Sequence, residues 1–119
     1  MRRSKYNAIR TGGYASKAEA GRAAELRALA ACGAITDLVE QPSFVVSPPG
    51  CALIRYRPDF TYCEQGRSVA EDCKGMETRE FRIKLKLFRW RYPSIEFRIS
   101  RRVGRRYAIE VLPALEVAA

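Results

Sequence analysis

The sequence predicts an α/β domain in which a small mixed β-sheet is flanked by helices, and three observations predict it. A run rich in Ala, Leu, Glu and Arg lies near the start, and a second run with helical apolar spacing lies past the middle. β-rich runs broken by Pro and Gly stand between and after them. The order is α, β, β, β, α, β, β, and helices laid on a sheet bury both kinds of apolar face.

Residues 1–15 are basic, contain Gly and show no period, so they read as a flexible arm preceding a single domain over 16–119. "SKAEAGRAAELRALAACG" opens with Ser16 three residues before Glu19 and stops at Gly33, which predicts a helix over 16–32. "AITDLVEQPSFVVSPPG" holds β-formers interrupted by Pro42 and ended by Pro48-Pro49-Gly50, the pattern of an interrupted or edge strand. "ALIRYRPDFTYCE" and "RSVAEDCK" are two further strands, joined at Gln65-Gly66 into a hairpin. From Thr78, Phe81, Leu85 and Phe88 recur at helical spacing, with Ile83, Leu87 and Trp90 widening the apolar side, which predicts a helix over 78–92. Its aromatic residues are expected in the core. Two strands around Gly104 close the chain.

No window offers the roughly 18 apolar residues needed to span a membrane, and the basic start lacks an apolar signal core, so a cytoplasmic location is expected. Cys32, Cys51, Cys63 and Cys73 show no zinc-ligand spacing and read as reduced. The chain has no His, which removes His-based nucleophile systems and general bases. With 22 Lys plus Arg against 13 Asp plus Glu, the expected partner is a polyanion, nucleic acid ahead of membrane or acidic protein.

Against that charge, "RYRPDFTYCEQGRSVAEDCKGM" gathers Asp59, Glu71 and Asp72 around one turn. If the turn centres on Gln65-Gly66, strand partners have numbers summing to 131, so Glu64 faces Arg67 and Asp59 faces Asp72. Like charges so placed are destabilising unless neutralised. The period of two puts Asp72 and Lys74 on one face, Glu71 and Cys73 on the other; a one-residue bulge would exchange Glu71 for Asp72. A hard divalent cation held by two carboxylates would relieve the repulsion, with Lys74 orienting or helping to deprotonate a water; the alternative is that Lys74 alone offsets two surface aspartates.

Pro58-Asp59 followed by Asp72-Cys73-Lys74 resembles the PD-(D/E)XK nuclease motif. "SKAEA", "EQPSF", "PDF" and "EDCKGM", in that order and followed by "TREFRIKLKLF", resemble a small phage-encoded Holliday-junction-resolvase-like endonuclease family over about residues 14–97. The resemblance implies a restriction-endonuclease-like core and a Mg2+- or Mn2+-dependent endonuclease acting on DNA, with branched DNA as the expected substrate, within a bacterial host. It implies Asp59 and Asp72 as metal ligands, Cys73 in the same metal-binding set, Lys74 as the water-orienting lysine and Glu19 as the helix carboxylate completing the site. Glu19 also reads as a capping-box residue, with Glu25 as its substitute at the metal, and Gln41 is placed either at the scissile phosphate or on strand-end backbone groups.

Lys84 and Lys86 follow the motif closely enough to face the scissile strand, and Arg101, Arg102, Arg105 and Arg106 form a cationic tip suited to gripping a backbone. A homodimer is expected, because symmetric cutting of two strands needs two sites. The competing expectations are a non-catalytic nucleic-acid-binding protein retaining the fold and an accessory protein binding a host protein.

Overall fold

The computed structural model describes residues 16–116, so the arm predicted over 1–15 lies outside the described residues. Helix α1 spans Lys17–Ala31; Ser16 caps it by accepting from the Glu19 amide at 3.1 Å, and Gly33 ends it at φ 81°, where an L side chain would be strained. Strands β1 (Thr36–Glu40), β2 (Phe44–Val45), β3 (Arg55–Tyr56), β4 (Phe60–Glu64) and β5 (Arg67–Cys73) follow, then α2 (Arg79–Arg91), β6 (Glu96–Val103) and β7 (Arg106–Leu112). Thr78 caps α2 by accepting from the Phe81 amide.

The main sheet has the order β1-β4-β5-β6-β7, with β5 and β6 parallel and the other neighbours antiparallel. The crossover that a parallel pair requires is α2. Strands β2 and β3 pair separately.

The predicted runs are cut more finely than expected. The first β-run breaks into β1 and β2 at Gln41, which takes φ 54° before Pro42, and the second breaks into β3 and β4 at Pro58. Proline has no N–H to give a ladder, and the backbone of Asp59 is spent elsewhere, its carbonyl accepting from the Gln41 amide at 2.8 Å.

Each face of the sheet carries one helix. Ala23 and Leu26 of α1 pack with Ile35, Phe60, Tyr62 and Val69 on one side. Phe81, Leu85 and Phe88 of α2 pack with Val46, Tyr56, Ala70, Phe97 and Ile99 on the other. Trp90 corrects the expectation of an aromatic core: it is 64% exposed, and Ile83 is 51% exposed. Seven residues apart, they share the helix face opposite the Phe81-Leu85-Phe88 stripe. Among the described residues no helix is long and apolar enough to cross a membrane.

Candidate functional site

The β4–β5 hairpin has the predicted register, running from Glu64 opposite Arg67 through Tyr62 opposite Val69 to Phe60 opposite Glu71 without a bulge. Gln65 and Gly66 both have positive φ, 50° and 76°, the pairing a tight hairpin turn demands. The ladder ends one position short of Asp59 and Asp72, and these two are joined by crossed bonds. The Asp59 amide donates to Asp72 Oδ1 at 2.8 Å, and the Cys73 amide donates to Asp59 Oδ2 at 2.8 Å. Two carboxylates are thereby held against each other at the end of the hairpin.

Other predicted residues join them. Glu19, buried on the first turn of α1, accepts from Gln41 Nε2 at 3.2 Å, and Gln41 is tied through its own amide to the Asp59 carbonyl. The left-handed backbone at Gln41 stands in this chain of contacts, a conformation that persists in a non-glycine residue only where its surroundings enforce it. Lys74 Nζ lies 3.9 Å from Asp72 Oδ2 and 4.8 Å from the centre of the Phe81 ring, so an acid and an aromatic face position the ammonium. Tyr56 was not foreseen: its hydroxyl donates to Asp72 Oδ2, and burial, with Asp72 beside it, raises its pKa so that it remains a donor.

The crowding shows in Asp59. Burial first, then the charge of Asp72 and more weakly that of Glu19, push its carboxyl up to about 8, against the lowering effects of the Cys73 amide and Lys74. Near neutral pH the cluster therefore holds a proton unless a cation takes its place. Burial also pushes the Cys73 thiol up to about 11, despite a bond from Ser100 that lowers it. The thiol is neutral at pH 7 and is a poor ligand for a hard cation.

The alternatives Glu71 and Glu25 are placed elsewhere. Glu71 is fully buried on the α1 side, where Arg22 grips it with two bonds of 2.6 and 3.0 Å while Tyr62 and Ser100 donate to it at 2.6 and 2.8 Å. Glu25 is paired with the same Arg22. Burial works against the Arg22 charge, but Glu71 and Glu25 outweigh it and raise its pKa.

The predicted phosphate-binding cations fall into three groups. Lys84 shares with Lys74 a cleft beside the carboxylates. Lys86 does not; it lies with Arg79, Arg82 and Ile83 on a different surface of α2. Arg101, Arg102, Arg105 and Arg106 lie where β6 runs on past Ser100, the partner of Cys73, so the tip rises at the sheet end that carries the carboxylates. Arg101 is engaged by Glu77 and Glu110, and Arg102 donates to the Gly104 carbonyl.

Among the described residues, no three Cys, Asp or Glu side chains form a ready-made metal cage. Each carboxylate is engaged by the protein itself: Asp72 accepts from Tyr56 and the Asp59 amide, Asp59 from the Cys73 amide, and Glu19 from Gln41. The side-chain oxygens gathered at this end of the sheet are acidic, and burial with the charges of Asp72 and Glu19 raises the Asp59 carboxyl. Residues 3–107 match the family described as Protein of unknown function (DUF1064). No curated protein and no solved structure matches the chain.

Proposed function

We propose that this chain, which belongs to the DUF1064 family, is a Mg2+- or Mn2+-dependent endonuclease of restriction-endonuclease-like fold that hydrolyses DNA phosphodiester bonds with selectivity for branched structures. The observation that carries the reading is the meeting of Asp59 and Asp72 through two 2.8 Å bonds, with Lys74 at 3.9 Å and a carboxyl driven up to about 8 by its acidic neighbours. Such crowding is costly in a purely structural turn and useful in a cation site.

Asp59, Asp72 and Glu19 would hold the ion. When bound, the ion supplies Lewis-acid stabilisation of charge on the phosphate. The remaining work belongs to the chain. Lys74, held by Asp72 and Phe81, orients the attacking water and offsets charge on the phosphate oxygens. Tyr56 fixes the rotamer of Asp72, and Gln41 holds Glu19 toward the aspartates. The net charge of +9 draws the polyanion in, and the arginines of the β6–β7 tip lie at the same end of the sheet.

The test is incubation of the purified protein with a panel of four-way, forked and linear DNAs and Mn2+, with cut positions mapped. Cleavage is expected with wild type and is expected to fall by at least about a hundredfold with chelator, Asp72→Asn or Lys74→Ala, each with an unchanged circular dichroism spectrum. The hydrogen bonds already occupying Asp59 and Asp72 favour one other reading, a nucleic-acid-binding protein without catalysis. DNA binding with no cutting of any substrate would establish that reading and remove ours.

A further inference from the structure

We propose that the cleft beside the carboxylates is a subsite for a second phosphate of the substrate strand, so that the protein engages a polynucleotide across two phosphates. The inference rests on the phosphodiester reading of the neighbouring site. The cleft encloses about 300 Å3, and Arg55, Arg57, Lys74 and Lys84 bring four cations to it against the single carboxylate of Glu80. That carboxylate is already engaged by Lys84 at 3.0 Å. Among the described residues, no carboxylate pairs with Arg55 or Arg57, in contrast to Arg22, Arg98 and Arg101, which are bound by acids.

Two residues tie the cleft to the chemistry. Tyr56, buried between the exposed Arg55 and Arg57, forms part of the cleft wall and gives its hydroxyl to Asp72. Lys74 lines the cleft and stands 3.9 Å from the same carboxylate. An anion seated there is therefore next to the reacting centre, a step along the strand. The wall also includes Phe81, whose low polarity strengthens attraction between the cations and an anion. The N-terminal turn of the 13-residue helix α2 begins at this wall, beside Thr78, and adds its partial positive charge. Guanidinium groups match phosphate oxygens in a planar, two-pronged manner, and two exposed arginines separated by one buried tyrosine present such a pair.

The reading commits the substrate to a chain of phosphates. A mononucleotide would fill one subsite only, and a strand whose neighbouring phosphate is neutral would lose the second.

The experiment titrates the full chain with tetrathymidylate in chelator, which removes cleavage from the measurement, across a salt series and with backbone amide spectra recorded. Wild type is expected to show saturable shifts at residues 55–57 and 78–81. Arg55→Ala/Arg57→Ala, both exposed positions, is expected to weaken binding by about tenfold and to reduce the slope of log affinity against log salt by about one or more. Unchanged affinity and slope in the double variant, or shifts that avoid both segments, overturn the subsite even if the protein cuts DNA. If the cleft binds as described and no DNA is cut under Mn2+, the nuclease reading fails while the subsite stands.

Discussion

Asp59→Asn removes a carboxyl whose ionisation the fold resists, and the consequence for stability has a definite sign. The folded carboxyl titrates at about 8, whereas its unperturbed value is 3.8, so between those values the native state keeps a proton that the unfolded chain releases. The native state then binds more protons than the unfolded one, and stability falls as pH rises through that window, by at most about 1.4 kcal/mol per pH unit. From about pH 5 to about pH 7 the loss attributable to Asp59 is about 2–3 kcal/mol in the absence of divalent cation. Asparagine cannot ionise. Its carbonyl oxygen still accepts from the Cys73 amide, which donates to Asp59 Oδ2 at 2.8 Å, and its NH2 can donate toward Asp72. The variant is therefore expected to lose that slope and to exceed wild type in stability at about pH 8, while falling level with it or below near about pH 4. Urea unfolding in chelator at a series of pH values, with equal m-values required, measures the difference between the two proteins. Parallel stability curves over that range refute the reasoning, because they mean Asp59 ionises in the folded protein as it does in the unfolded chain.

Two further expectations concern the metal and the buried ion pair. Calorimetric titration with Mg2+ or Mn2+ should show affinity rising by up to about tenfold per pH unit below about pH 8 and levelling above it, as the ion displaces the Asp59 proton; pH-independent affinity contradicts this. Arg22→Ala strands the fully buried Glu71 without its cation and should cost about 3–5 kcal/mol in chemical denaturation, whereas an exposed pair such as Lys84 with Glu80 should cost under about 1 kcal/mol.

Much of the fold and of the central pair is legible in local rules. The Ser16 cap, the stop at Gly33 and the Gln65-Gly66 turn each depend on a few neighbouring residues, and the turn sets the register that carries Asp59 to Asp72. Alternation then separates Asp72 from Glu71, and the absence of a bulge keeps them apart. What escapes local rules is the identity of distant partners. Arg22 meets Glu71 across 49 residues, and Tyr56 meets Asp72 across 16, neither of which a periodic pattern announces. Arg55 and Arg57 look like ordinary strand-surface cations until β3 is placed beside the start of α2. The break at Pro58 was readable in principle, since a proline cannot donate to a ladder, yet the β-rich residues around it mask the signal. Trp90 escapes the periodic pattern because the helix carries a second apolar stripe, with Ile83, that faces outward.

That outward position gives the protein an optical property. The only tryptophan of the chain is 64% exposed on α2, four residues from Lys86 and on the side of the helix opposite its buried stripe. Its indole already sits in water before unfolding, so its emission colour is a poor gauge of denaturation. It is a good gauge of what covers the helix: a ligand lying along the Lys86 surface dims or shifts the fluorescence, while one confined to the Lys84 cleft leaves the emission unchanged.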